Sequence, residues 1–268
     1  MRTRTDPVIG LLHPGEMGSA IGHCLAGRGH TVLWASQGRG PQTAERARSG
    51  RLLDVGTATA MAGQADVIFS VCPPHAALDI AGSVPGFRGT YVDANAISPQ
   101  TARDVAVIVE GGGSSYVDGA IIGPPPASPG STRLYVSGPA ADSVRMLFDG
   151  TALDARLVQG DIGAASSVKM AYAAWTKGSA ALLLAVRALA EADGVSDVLL
   201  AEWELSQPGL QGRSRGAAES AAAKGWRWTA EMEEIAAAMG AAALPQGFHL
   251  AAAEIFRRYP RARPTAAR

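Results

Sequence analysis

Residues 8–18, Val8-Ile-Gly-Leu-Leu-His13-Pro14-Gly15-Glu16-Met17-Gly18, limit the fold more than any other stretch of the chain. An apolar run suited to a buried strand passes through a turn into a helical stretch. The turn carries the second and third glycines of G-x-G-x-x-G, with His13 standing where the first belongs. In such a unit the second glycine (Gly15) lets the backbone approach a diphosphate, and the third (Gly18) lets the helix pack close to the strand. The helix then offers unpaired N–H groups and the positive end of its dipole to negative charge. A turn that needs glycine only for its own geometry would read the same way. The rest of the chain has to separate the two.

Short apolar runs follow at residues 31–34, 66–71, 90–93, 115–122, 133–137 and 155–158. They lack the alternation of a one-sided sheet, as buried parallel strands do when helices cover both faces. Helical stretches at 16–28, 41–49, 74–82, 99–110 and 140–148 fall between the runs, so a doubly wound, Rossmann-type α/β sheet is expected. After Gly163 the strand signals stop. Residues 164–193 contain no proline and place Val168, Tyr172, Trp175, Leu182, Val186 and Leu189 at helical spacing. That apolar stripe is expected to face a core, with Gly194 closing the helix. At 1.5 Å per residue the helix is about 45 Å long, enough to bridge two domains. Further helices are expected at 197–206, 213–224, 229–239 and 246–258. Residues 1–161 therefore read as a dinucleotide-binding domain and 162–268 as an all-α domain, with a frayed tail from 260 onward.

The second strand separates the two nicotinamide cofactors. An NAD site needs a carboxylate near the end of that strand to hold the ribose 2′-hydroxyl. Here Trp34 is followed by Ala35, Ser36, Gln37, Gly38 and Arg39. The acid is missing, and Ser36 and Arg39 offer a hydroxyl and a guanidinium to a 2′-phosphate. NADPH is the expected cofactor.

Composition removes several other classes. Lys plus Arg and Asp plus Glu are 24 each, so no net field draws nucleic acid or an anionic membrane. No apolar run reaches the roughly 18–20 residues that span a bilayer. Two cysteines make no disulfide framework, and the opening Met1-Arg-Thr-Arg-Thr lacks the apolar segment of a signal peptide, so a cytoplasmic protein is expected. The five histidines show no metal-ligand spacing, and neither a G-x-S-x-G elbow nor a phosphate-binding G-x-x-x-x-G-K-[ST] loop occurs.

The loop Gly10-Leu-Leu-His-Pro-Gly-Glu-Met-Gly18 resembles the opening of the β-hydroxyacid dehydrogenase and 6-phosphogluconate dehydrogenase superfamily. Ser70-Val71-Cys72-Pro73 looks like the strand end that lies along the cofactor there. Asp118-Gly-Ala-Ile-Ile122-Gly123-Pro124 is similar to the family's substrate-binding segment. Gly160-x-x-Gly163 followed by Lys169 looks like the segment that carries its catalytic lysine. The signs Lys169-Met170, Thr176-Lys177-Gly178 and Arg227-Trp228-x-x-Glu231-Met-Glu-Glu-Ile-Ala236 are similar to a branch with a second domain of unknown function. The departures are specific. Ile122 stands where the family has a serine that holds a substrate carboxylate, Ala173 where it has an asparagine, and Asn95 where it has a serine.

The resemblance implies hydride transfer with Lys169 as the general acid or base, placed at the first turns of the long helix, where dipole and burial both disfavour the ammonium form. A lysine that snorkels from an apolar helix is the plainer alternative. Ala173 and Thr176 follow Lys169 by four and seven residues and share its helix face. Lys177 sits near enough to bind an anionic substrate group, or is a solvated charge. Asn95 holds substrate or nicotinamide, or caps the next helix. Trp175 is assigned to the core, and Glu231, Glu233 and Glu234 to the acidic first turn of a helix.

The expected protein is an NADPH-dependent oxidoreductase. His13, Pro14, Gly15, Glu16, Met17, Gly18, Ser36, Arg39, Val71, Cys72, Pro73 and Asn95 hold the cofactor. Ile122, Gly123, Ala173, Thr176 and Lys177 hold a small carbonyl or β-hydroxy acid-type substrate. An imine reductase of the same architecture and a catalytically silent NADPH sensor are the rivals. A homodimer through the helical domain is expected by analogy with the superfamily.

Overall fold

The computed structural model describes residues 6–260. The expectations for residues 1–5 and for the tail beyond Pro260 lie outside the described residues. Two compact units divide the chain between Lys169 and Met170.

The first unit is an eight-stranded sheet in the order β3-β2-β1-β4-β5-β6-β7-β8. Its strands are β1 (Ile9–Leu12), β2 (Val32–Trp34), β3 (Leu53–Asp54), β4 (Val67–Ser70), β5 (Thr90–Asp93), β6 (Ser115–Ile122), β7 (Thr132–Ser137) and β8 (Leu153–Leu157). Helices α1 (Glu16–Gly27), α2 (Pro41–Ser49), α3 (Ala58–Ala62), α4 (Ala77–Ala81), α5 (Pro99–Gly111) and α6 (Ala141–Met146) connect them, and α7 (Ala164–Ala192) begins after β8. Every strand pair is parallel except β6–β7, which is antiparallel.

Successive strand residues fall into two separate cores. Ile9, Leu11, Phe69 and Val92 pack in one, and Val8, Leu12, Ile68 and Tyr91 in the other. Side chains alternate across a strand, so both faces of this sheet are covered, which is why the apolar runs show no alternation. The sheet is the expected Rossmann-type doubly wound sheet. Its strand order reverses between β1 and β4, the place where such sheets open a crevice at the strands' carboxyl ends. Helix starts follow local chemistry: Pro41 and Pro99 occupy first-turn positions, and the Ser98 side chain accepts from Thr101 N. Two elements escaped the sequence. Strand β3 is two exposed residues long and α3 only five, too short for any period to register.

Among the described residues the second unit is all helical: the rest of α7, then α8 (Ser196–Ser206), α9 (Leu210–Ala241) and α10 (Gly247–Arg257). Two expectations need correction. The helices read at 213–224 and 229–239 are the single helix α9. Gly225 lies inside it because a Cβ there would come within 2.9 Å of Tyr259 Cβ, so this glycine permits close packing and does not break the helix. The face of α7 is the other correction. Its buried side chains include Met170, Ala173, Ala181, Leu184 and Ala190, whereas Trp175 is 72% exposed and Leu182 and Leu189 are each 63% exposed. The helical period was right, but the side that meets the core is the one lined with small residues. Among the described residues no helix is long and apolar enough to cross a membrane.

Candidate functional site

The turn between β1 and α1 is built around His13, whose φ of 68° lies in the left-handed region. Glycine enters that region freely, while histidine enters it more readily than most residues. This explains the glycine expected here and how a histidine can replace it. Gly15 N donates to His13 O at 2.7 Å, closing the turn. Gly15 itself is extended, at φ −70°, and a Cβ there would meet nothing within 4 Å. Neither turn geometry nor packing requires glycine at this position. Gly18 is different: its Cβ would lie 2.6 Å from His13 O, so the close approach of helix to strand does require glycine. Pro14 is buried, Met17 packs on the core and Glu16 is exposed in the first helical turn. Val71, at the end of β4, is the next neighbour of that missing Gly18 Cβ.

After β2 the chain turns through Ser36-Gln37-Gly38-Arg39, closed by Arg39 N to Ser36 O at 3.0 Å, with Gly38 at φ 73°. A positive φ at the third position is the pattern of a type II turn, which suits glycine. The turn brings the Arg39 guanidinium to the His13 imidazole, where Nη2 meets Nε2. Burial first, and the guanidinium second, push the His13 imidazole down to about 4. Its Nδ1 is buried with no hydrogen-bond partner. Ser36 is engaged by Asp54, whose carboxyl is held below its usual range by Gly56 N–H and then by Ser36. Asp54 pairs in register with Trp34. Sequence reasoning missed this carboxylate beside the turn because nothing marks β3 as a strand.

The carboxyl ends of β4 and β5 and the middle of β6 carry a buried polar cluster. Asn95 Oδ1 accepts from Cys72 N at 2.5 Å, and its Nδ2 donates to Ser70 Oγ at 3.1 Å. Asn95 is therefore a brace between strand ends; the cap of α5 is Ser98. Burial, then the charge of Asp93, raises the Cys72 thiol to about 12, so it is inert as a nucleophile. Asp93 is fully buried, and burial lifts its carboxyl to about 7, with Asp118 on the paired strand adding to the rise.

Asp118 holds the start of α7. Its Oδ2 accepts from Gly163 N at 3.0 Å, Ser166 N at 2.9 Å and Ser137 Oγ at 3.2 Å, and its Oδ1 from Ser166 Oγ at 2.6 Å. One turn later Lys169 Nζ donates to Ile121 O at 2.9 Å. Strand β6 thus holds both the beginning of the helix and the Lys169 Nζ. The Asp118 signal was present in the sequence only as part of a family segment; its capping role joins residues 48 apart. Ile122 is buried at the end of β6. Gly123 follows at φ 126°, where a Cβ would come within 2.4 Å of Ser131 O.

In the second unit Ala173 is buried, and Thr176 Oγ1 donates to Tyr172 O at 3.0 Å. Lys177 forms an ion pair with Glu231, which is 5% exposed, and lies over the Trp228 ring at 5.6 Å. Glu231 lies well inside α9, so its expected place in a helix's first turn is corrected. An anionic group approaching Lys177 competes with that carboxylate. A cavity of about 540 Å³ lies between α7 and α10, lined by Trp175, Leu182, Phe248, His249 and Ile255 among others.

Residues 190–259 match the family described as a domain of unknown function, DUF1932. No curated protein matches the chain. Among solved structures, conserved protein MTH1747, described as of unknown function with structural similarity to 3-hydroxyacid dehydrogenases, is similar at 27% identity and TM-score 0.70, over 94% of this chain and 96% of that one. A 3-hydroxyisobutyrate dehydrogenase from Salmonella typhimurium is 18% identical with TM-score 0.69, over 94% of each chain. A reductive aminase from Aspergillus terreus, solved with NADPH and ethyl levulinate, is 20% identical with TM-score 0.60, over 95% of this chain and 93% of that one.

Proposed function

We propose that this chain, β-hydroxyacid dehydrogenase-like in architecture and carrying a C-terminal DUF1932 domain, is an NAD(P)-dependent oxidoreductase that uses NADPH on a small carbonyl or β-hydroxy acid-type substrate. Gly15 carries the reading. It sits at the carboxyl end of β1, beside the reversal of strand order and at the amino end of a twelve-residue helix, with open space where its side chain would be. A diphosphate is the group that such a cradle fits.

When bound, the nicotinamide supplies or accepts the hydride. The chain's own residues bind, orient and move the proton. The N–H groups of the first turn of α1 take the diphosphate, and Arg39 takes the 2′-phosphate in charge-assisted hydrogen bonds. Asn95 pins the backbone of Cys72, so that Val71, Cys72 and Pro73 keep their places along the cofactor. Lys169 Nζ, aimed by the Ile121 carbonyl and by the Asp118 cap on its helix, gives a proton to the carbonyl oxygen that becomes the alcohol, or takes it in reverse. Ile122 and Gly123, at the end of β6, present apolar and small surface to the substrate.

Imine reduction is the second reading, favoured by one observation: Ile122 puts a buried aliphatic side chain where the family resemblance implies a carboxylate-binding serine. The exposed stripe Trp175, Leu182 and Leu189, at seven-residue steps on α7, supports pairing with a second copy of the chain. The two free cysteines fit the cytoplasm.

Titration with NADPH and NADH, followed by nicotinamide fluorescence, tests the reading. Saturable binding is expected, and its absence for both nucleotides defeats the proposal. Loss of NADPH absorbance over a panel of carbonyls and cyclic imines then separates the activities. Lys169→Ala should lower carbonyl reduction by about 10²–10⁴-fold and spare a preformed iminium. Tight binding with no turnover of any substrate would favour a sensor.

A further inference from the structure

We propose that His13 is a positioning residue for cofactor choice: it holds the Arg39 guanidinium over the β1–α1 turn, where a 2′-phosphate would be read. The inference rests on the NADPH reading above and adds to it a residue that acts through another. Three observations support it. His13 keeps a left-handed backbone that glycine would adopt more easily, so turn geometry alone gives no reason for an imidazole here. The imidazole meets Arg39 across 26 residues, and the type II turn around Gly38 delivers the guanidinium to it. Asp54 engages Ser36, and Arg39 is the one cation among the four residues of that turn.

The protonation states follow from the contact. A guanidinium only donates, so Nε2 of His13 must accept and the ring's proton sits on Nδ1. The fall of the imidazole to about 4 keeps it neutral in the physiological range, with the Nε2 lone pair available. A neutral acceptor suits this task. It orients the arginine without cancelling its charge, whereas a carboxylate at the same place would neutralise the cation meant for the phosphate.

The test is a double-mutant cycle on the full chain, reading dissociation constants for NADPH and NADH at one ionic strength and thermal stability alongside. The wild type should prefer NADPH. His13→Gly relieves the left-handed backbone, so the melting temperature should hold or rise while the NADPH-to-NADH preference falls roughly ten-fold. Arg39→Ala should cause a fall at least as large, and adding His13→Gly to it should change the preference no further. His13→Asn, which tolerates the left-handed region and presents an accepting oxygen, should keep most of the preference. The proposal is overturned if His13→Gly weakens both nucleotides equally, or if the two substitutions add independently. If the wild type binds neither nucleotide, the functional reading falls first and takes this role with it. Saturable binding with a preference insensitive to Arg39 removes the positioning role alone.

Discussion

The two compact units bury different kinds of interior. In the first unit large aliphatic and aromatic side chains from the strands fill two cores, and the polar groups Ser70, Asp93, Asn95 and Asp118 gather at the carboxyl ends of β4 and β5 and the middle of β6. In residues 170–268 the interior is rich in alanine and includes the Lys177–Glu231 pair, while Trp175, Leu182 and Leu189 face outward and Phe248 is 79% exposed. Side-chain size therefore predicts burial on the central strands β1, β4 and β5 and mispredicts it on α7. A covered sheet has no free face, so its apolar residues have nowhere else to go. A helix has several faces, and small residues such as Ala173 and Ala181 let helix backbones approach more closely than leucines do.

The sharpest way to break this contrast is to remove one half of the helical unit's buried pair. Lys177→Met should destabilise the chain by about 3–5 kcal/mol in urea denaturation, because it leaves Glu231 charged and buried. Adding Glu231→Leu should recover much of the loss. A neutral result for Lys177→Met would mean that the pair is as dispensable as a surface contact.

The next effect lies in the sheet unit and depends on pH. Asp93 keeps its proton in the folded state up to about 7, whereas the unfolded chain releases it near 4. The folded state therefore binds the extra proton between those values, and its stability falls as pH rises through that window. Asp93→Asn stays neutral throughout. At pH 8 it should be more stable than the wild type by roughly 4 kcal/mol, with the two about equal at pH 4. Equal thermal stability at pH 8 would show that the carboxyl is not buried as described.

Leu182→Gln should change least. An exposed leucine contributes within about 0.5 kcal/mol, so the melting temperature should barely move. Sedimentation should nevertheless shift toward monomer if the α7 stripe pairs with a second copy. A large loss of stability with no change in mass would place Leu182 in the chain's own core after all.

Much of the fold was legible because its signals are local. The runs that became β1, β4, β5 and β6 and the proline-led starts of α2 and α5 are each written within a few residues. The close approach of helix to strand was legible at Gly18, and Ser36 and Arg39 were read as polar groups following β2. What the letters did not carry was each partner: Asp118 for the start of α7, Ile121 for Lys169, Asp54 for Ser36. Each joins positions far apart in the chain, and no spacing within one element records such a meeting.

The sequence by itself determined the alternation of the longer strands and helices and the helical character of the second unit, because backbone preference and apolar period act over short distances. Only the tertiary structure decided which side of α7 is covered, that Glu231 is buried against Lys177, and that His13 grips Arg39. A period fixes the angle between residues on an element; only packing against the other elements fixes which direction is inward.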